Sequence, residues 1–295
     1  FSATRQLISD SRFNHSSLEP SKHFQGKWKT TFAVNKNEYP AIGIFEQDKN
    51  VVTGTFLTET GDYRYLEGNA IGDSLFLSCF DGAHAFLFAA EQFGDSLSGI
   101  FRSGKNYIDS CWVAVKNDSA ELSNPDSLSY ILANGPPFSF SFPGINTKTI
   151  SYSKEAFLGS PVIIQLFGSW CPNCADECRF LSDLYNEYRG DGLEIFGLAF
   201  EKKQPIQKQK DRLSSYVNAL DIPYPIGIAG GPSKSDASKM FPQINSITSF
   251  PTCLFIDKSG KVARVHTGFY GPGTGDYYTN FVQKTREFVR ELLAE

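Results

Sequence analysis

Two thiols dominate the chemistry this sequence could perform: Cys171 and Cys174, in the run Trp170-Cys171-Pro172-Asn173-Cys174. An apolar run from Val162 to Phe167 precedes them and reads as a buried strand, and Ala175 to Arg189 follows and reads as a helix. A Cys-x-x-Cys at a strand-to-helix junction puts the first sulfur at a helix N-terminus, where unpaired N–H groups and the helix dipole favour an anion. The thiolate is the nucleophile of disulfide exchange. The placement therefore predicts a redox-active pair that cycles between dithiol and disulfide without any other cofactor. Cys171 is expected to attack, and Cys174, one helical turn further in, to resolve the mixed disulfide.

Other uses of two nearby cysteines fit less well. A structural disulfide is the bland alternative. A zinc site needs about four ligands, and no second Cys/His pair has suitable spacing, so no metal is expected. The four histidines (His15, His23, His84 and His266) are scattered and read as surface or strand-filling residues, leaving no Cys/His hydrolase constellation.

The elements that must carry this pair fall in two regions. Phe1 to His23 lacks apolar periodicity and is expected to be a flexible tail. From residue 24 to residue 117, turn signals recur every ~9–13 residues, at Asp48-Lys49-Asn50, Gly61-Asp62, Gly72-Asp73, Asp81-Gly82, Gly94-Asp95 and Gly104-Lys105-Asn106. Roughly eight strands lie between them, enough to close as an all-β antiparallel up-and-down barrel. The aromatics Trp28, Phe45, Phe56, Phe76, Phe86, Phe101 and Trp112 are expected to fill it, with a lipocalin-like pocket for an apolar ligand as the other reading. Gly72-Asp73-Ser74-Leu75 resembles the nucleophile block of the GDSL hydrolases, but it recurs as Gly94-Asp95-Ser96-Leu97 and both copies sit at hairpins. Cys79 and Cys111 fall in different strands, where the choice is between a disulfide and two buried thiols. Residues 118–137, rich in Ser, Asn and Pro, read as a linker with a short helix at Leu128 to Leu132.

Residues 138–295 alternate strand and helix as α/β domains do. Ile145 to Ile150 reads as an edge hairpin, Leu193 to Ala199 as a second buried strand and Ile206 to Leu220 as an exposed helix. Thr252 to Ile256 and Val262 to His266 read as a hairpin around Asp257-Lys258-Ser259-Gly260, and Tyr277 to Leu293 as the closing helix. Cys253, two residues after Pro251, is expected to be buried beneath the helix that carries the cysteine pair.

This second region resembles the TlpA-like thiol–disulfide oxidoreductases, extracytoplasmic members of the thioredoxin superfamily. The resemblance rests on Phe167-Gly168-Ser169-Trp170-Cys171-Pro172-Asn173-Cys174, on Asp176-Glu177, and on Phe250-Pro251-Thr252 before Leu254-Phe255-Ile256-Asp257. It implies an α/β thioredoxin fold and a cis peptide bond before Pro251. In the family the residue before this proline pairs with the bound substrate peptide, a place that Phe250 takes here. Trp170 is then expected to shield the site, and Pro172 and Asn173 to set the turn. Thioredoxin carries a buried acid six residues before its first cysteine, where Gln165 stands in this chain; Gln cannot take a proton, so water or Glu177 is left to do so. Cys178, at i+4 from Cys174, reads as a small buried hydrophobe or as a third redox partner. Arg179 replaces a helix-kinking proline of relatives, which implies a straighter helix.

The activity implied is reduction of protein disulfides. Oxidation or isomerisation of disulfides, thiol peroxidase activity and a non-enzymatic lipocalin-like binding role are the alternatives. Peroxiredoxins set their nucleophile in Pro-x-x-x-Thr/Ser-x-x-Cys, whereas Ile164 and Gly168 occupy those places here. The expected partners are a protein disulfide substrate and a membrane-associated thiol reductant, and a dimer is open. A net charge of −4 without long single-sign blocks argues against nucleic acid, and no apolar run is long enough to span a membrane. The chain begins at Phe1 rather than Met, which removal of a signal peptide or simple trimming would explain. Six cysteines suit an oxidising compartment, and the resemblance implies the periplasm or cell envelope.

Overall fold

The computed structural model describes residues 13, 19–82, 84–104, 107–133, 137–146 and 148–295. It divides into two compact units: one reaches to Thr58 and then covers Asp62–Leu122, the other holds Glu59–Gly61 and Ser123–Glu295. Most of the expected N-terminal tail lies outside the described residues.

The first unit is a closed antiparallel barrel. Its strands are β1 (Gly26–Phe32), β2 (Tyr39–Asp48), β3 (Val51–Thr58), the two-residue β4 (Gly61–Asp62), β5 (Leu66–Ile71), β6 (Ser74–Phe80), β7 (Ala85–Phe93), β8 (Ser96–Ser103) and β9 (Tyr107–Lys116). The order β2-β1-β9-β8-β7-β6-β5-β3 closes through a β2–β3 ladder, so eight strands form the ring. Both Gly-Asp-Ser-Leu copies turn between neighbouring strands, with Gly72 and Gly94 at φ +55° and +60°, a backbone state that glycine reaches without strain. Alternate residues point inward, as on β1, where Trp28, Thr30 and Phe32 are buried. Phe32 meets Phe56, Phe88, Phe101 and Trp112 at ring-centroid distances of 5.1 to 6.0 Å, so side chains occupy the barrel interior.

Two expectations for this unit need correction. Phe76 is not in the core: Leu75 and Leu77 on either side face inward, the period of two turns Phe76 outward, and its ring meets Phe13 instead. No disulfide joins Cys79 and Cys111, and Cys111 is exposed rather than buried. Its neighbour Trp112 takes the inward place on β9, which leaves Cys111 facing out while Cys79 packs toward the core.

The second unit starts with a strap. Helix α1 (Pro125–Leu128) lies earlier than the Leu128 to Leu132 expectation, because Asn124 caps it by accepting from the Asp126 N–H and Pro125 takes the first helical position. The segment is docked rather than free. Asp126 meets His266 (2.6 Å) and Arg264 (3.0 Å), Thr267 donates to Ser129, and the Leu132 N–H donates to the Gln243 carbonyl. His266 is thus a buried anchor, not mere strand filling. Burial holds its imidazole below the usual histidine range, against the pull of Asp126.

A hairpin of β10 (Phe140–Pro143) and β11 (Thr149–Tyr152) follows, centred slightly earlier than its sequence expectation. Then come β12 (Val162–Phe167), α2 (Pro172–Tyr188), β13 (Glu194–Phe200), α3 (Ile206–Ala219), β14 (Ile226–Gly230), α4 (Lys234–Met240), β15 (Thr252–Ile256), β16 (Val262–Thr267) and α5 (Asp276–Ala294). The sheet order is β14-β13-β12-β15-β16, parallel from β14 to β12 and antiparallel beyond. Strand β12 is central and wholly buried, which explains its unbroken apolar text apart from Gln165. Its register sets Gln165 opposite Cys253 of β15, on one face of the sheet. On the other face Phe196 packs against Phe140 and Phe157.

Candidate active site

The cysteine pair sits where β12 ends and α2 begins. Cys171 is the helix N-cap, and its sulfur accepts from the Cys174 N–H at 3.3 Å. The N-cap sulfur thus satisfies a backbone donor that the helix itself leaves unpaired. Pro172 follows at the first helical position, where its missing N–H costs nothing. Cys171 is half-buried and its thiol donates toward the Phe250 carbonyl at 3.6 Å. Cys174 is fully buried, and burial, the bond to Cys171 and the nearby Cys171 charge push its thiol well above the usual range. One thiol therefore faces the surface and the other is withdrawn behind it.

The surrounding loop is fixed from several sides. The Phe250–Pro251 peptide is cis, and it brings the Phe250 carbonyl against Cys171. The Phe250 ring stacks on Phe200 (4.9 Å) and meets Trp170 edge-on (6.2 Å), so these aromatics wall the site. The Trp170 indole donates to the Phe200 carbonyl at 2.9 Å. A side chain at Gly168 would run into that indole, which explains a glycine in this loop. The Asn173 amide donates to the Phe269 carbonyl at 3.3 Å, tying the first turn of α2 to the chain after β16.

Glu201, just past β13, is a site residue the sequence reading missed. Its buried carboxylate accepts from the Ser169 N–H (2.7 Å) and hydroxyl (2.9 Å), two residues before Cys171. Arg212 of α3 donates to the Ser169 hydroxyl at 2.7 Å. A usable signal was present: side chains at the carboxyl ends of parallel strands converge on the site of an open α/β sheet.

Behind Cys174 lies a buried polar cluster. Gln165 donates through its amide nitrogen to Glu177 at 2.8 Å. Its carbonyl accepts from Cys178 (3.3 Å) and from the Tyr224 hydroxyl (3.2 Å). The Cys253 thiol also bonds to the Glu177 carboxylate. Burial pushes the Glu177 carboxyl up to about 8, although the donors Gln165 and Cys253 oppose the rise. Burial likewise pushes Cys178 up to about 12. Glu177 is therefore no solvated surface carboxylate, and Gln165 and Glu177 are direct partners beneath the cysteine pair. Among the described residues no group of three or more His, Cys, Asp or Glu could hold a metal ion.

Residues 135–265 match the AhpC/TSA family. The matched stretch lies in the second unit and holds the cysteine pair and the Phe250–Pro251 cis peptide. Over 111 residues the chain is 31% identical to the thiol-disulfide oxidoreductase ResA of Halalkalibacterium halodurans, an overlap of 37% of this chain and 55% of that protein. Over 154 residues it is 23% identical to the thiol:disulfide interchange protein DsbE of Vibrio cholerae, covering 52% of this chain and 74% of that one. The crystal structure of a thioredoxin-family thiol:disulfide interchange protein from Chlorobium tepidum TLS overlays with a TM-score of 0.38 and 25% identity, covering 52% of this chain and 99% of that one. The chain thus spans little more than half of the ResA protein, and both curated relatives align to a part of this chain only. No helix among the described residues is long and apolar enough to cross a membrane.

Proposed function

We propose that this protein is an extracytoplasmic thiol–disulfide oxidoreductase that reduces disulfides in protein substrates, acting in the periplasm or cell envelope. The observation that carries the reading is the asymmetry of the pair: Cys171 caps α2 at the surface with its sulfur on a backbone N–H, while Cys174 lies fully buried behind it. The Cys171 thiolate attacks one sulfur of a substrate disulfide, and the other substrate sulfur leaves as a thiol. Cys174 then attacks the Cys171 sulfur, the mixed disulfide breaks, and the second substrate sulfur departs reduced. The chain is left oxidised as Cys171–Cys174, and a membrane-associated dithiol reductant returns the two electrons. Backbone groups of Phe250 beside Cys171 pair with the substrate peptide, and Trp170 and Phe250 give the groove an apolar wall.

Cys174 must lose its proton to attack. Glu177, buried on the same helix and held as an acceptor by Gln165, receives it. An acid whose pKa lies near the working pH is suited to both taking and returning a proton.

The reduction potential of the pair, with Cys171→Ser as control, tests the direction. A value near about −270 mV supports a reductase, and one near about −120 mV makes the protein an oxidant instead. A control that titrates like the parent ends the catalytic reading. The AhpC/TSA match gives peroxidase chemistry a hearing, but Ile164 and Gly168 stand where peroxiredoxins place Pro and Thr/Ser. Hydrogen peroxide consumption is therefore expected to stay at the level of Cys171→Ser.

A further inference from the structure

An amide side chain can meet a neighbour with either end, and its neighbours decide which. At Gln165 two hydrogen-bond donors converge on the same oxygen. The Tyr224 hydroxyl, just before β14, donates to Oε1 at 3.2 Å, and the Cys178 thiol of α2 donates to it at 3.3 Å. The Tyr216 hydroxyl of α3 in turn donates to the Cys178 sulfur at 3.7 Å, which leaves the Cys178 proton free for Gln165. With Oε1 occupied, Nε2 is the end that reaches Glu177, at 2.8 Å.

We propose that Gln165 is a positioning residue whose amide is turned by Tyr224 and Cys178 so that its NH2 group, and not its carbonyl, faces Glu177, easing the ionisation of that buried carboxyl so that it can take the Cys174 proton. The inference rests on the reading that Glu177 accepts this proton. Its chemistry follows from the two ends of the amide. An NH2 group stabilises a carboxylate and offsets part of its burial. A carbonyl in the same place would need the carboxyl proton and hold Glu177 in its acid form, where it accepts nothing. Tyr224 and Cys178 exchange no disulfide themselves, yet they set the pH at which Cys174 becomes a nucleophile.

The groups around Glu177 come from several elements packed against it. Cys174 and Cys178 lie on its own helix, Gln165 on β12, Cys253 on β15, Tyr224 before β14, and Tyr216 on α3 behind Cys178; Arg264 of β16 acts on Cys253. Burial pushes Cys174, Cys178, Cys253, Tyr216 and Tyr224 all upward, so each remains a donor at neutral pH. Glu177 is the member of that buried set that changes charge nearest to neutrality.

The test uses the full reduced chain, with Cys79→Ser and Cys111→Ser in every variant so that no barrel thiol reacts, and an aromatic disulfide, 5,5′-dithiobis(2-nitrobenzoate), in stopped flow. Attack by Cys171 releases the first coloured thiol, and resolution by Cys174 releases the second. The second phase is followed from pH 5 to 10. The double variant Tyr224→Phe with Cys178→Ala is expected to move the midpoint of this phase upward by about one pH unit, a roughly tenfold slowing at pH 7, with the first phase and the alkaline plateau kept. Tyr224→Phe alone, which removes one oxygen, is expected to slow it about threefold at pH 7 and carries the test if the double variant does not fold. Cys178→Ser keeps a donor and is expected to retain the parent profile. Glu177→Gln is expected to abolish the titration. If Glu177→Gln abolishes it but the Tyr224 and Cys178 variants leave the midpoint in place, the positioning role is wrong and the Glu177 reading stands. If Glu177→Gln retains the parent titration, the Glu177 reading fails and the inference falls with it.

Discussion

Replacing Glu177 by Gln removes a buried acid and should change how stability depends on pH. The Glu177 carboxyl rises from an ordinary 4.5 to about 8 on folding, because burial penalises its charge. The folded chain therefore keeps this proton where the unfolded chain releases it. The sign follows directly: the contribution is fully present below pH 4.5 and is lost as pH climbs toward about 8. One pH unit in that window is worth about 1.4 kcal/mol, so the loss reaches about 3 kcal/mol at pH 7 and about 5 kcal/mol above pH 8. Gln has nearly the same shape, still accepts from Gln165 through its carbonyl, and does not titrate. The stability of Glu177→Gln relative to the parent is therefore expected to improve by about 1.4 kcal/mol per pH unit between pH 5 and 8, levelling above. Urea unfolding of the full reduced chain at pH 5, 6, 7 and 8 reads the difference. A difference that stays flat across this range would refute the claim that the folded protein holds a neutral carboxyl at this position.

Other outcomes follow from contacts described above. Cys174→Ser is expected to trap a stable mixed disulfide between Cys171 and substrate, visible as an added mass that dithiothreitol removes; absence of any adduct would sink the assignment of Cys171 as attacker. Glu201→Ala leaves the Ser169 N–H and hydroxyl without their acceptor and should cost about 1–3 kcal/mol in chemical denaturation while slowing the attack by Cys171. Unchanged attack kinetics would show that the loop before Cys171 holds its shape without Glu201. Phe88→Ala, at the fully buried centre of the barrel aromatics, should destabilise the first unit by about 3–5 kcal/mol in the same assay. Because burial holds His266 below the ordinary histidine range, acidification below its ordinary 6.5 should lower the stability of the second unit, read as a fall in the urea midpoint between pH 7 and 5 that His266→Asn reduces; an equal fall in parent and variant would contradict this.

The local signals that were legible share one property: each needs only residues close in sequence. The Val162 to Phe167 run and the regular turns of the barrel announce their elements because burial and turn chemistry act within a few residues, whereas α2 starts at Pro172, three residues before the Ala175 expectation, since Cys171 caps it and Pro172 takes the first helical position. The cis bond at Pro251 was not in this class, since its expectation came from resemblance. What stayed hidden depends on long-range contacts. Gln165 is a lone polar residue in an apolar run, and nothing nearby says that Tyr224, 59 residues on, turns its amide. Glu201 meets Ser169 across 32 residues, and His266 meets Asp126 across 140. Strand β14 and helix α4 escaped because they are short and their apolar residues show neither period cleanly. Phe76 was misplaced for the opposite reason: aromatic content was read as core content, although the alternation of Leu75, Phe76 and Leu77 already gave its direction.

The strap over β16 has a consequence for solubility. An open sheet ends in strands whose outer N–H and C=O groups can recruit another chain, and β16 and β14 are the two ends here. Helix α1 covers the first through Asp126 on His266 and Arg264, with Ser129 on Thr267. At the other end the Ile145 N–H donates to the Ile226 carbonyl, and Gly144 bridges to Gly227. The α1 strap on β16 and the start of the β10–β11 turn on β14 therefore work as guards against edge-to-edge aggregation. A redox domain cut to begin at Phe138 would keep its cysteine pair and lose the guard on β16, whereas one beginning at Ser123 would keep both.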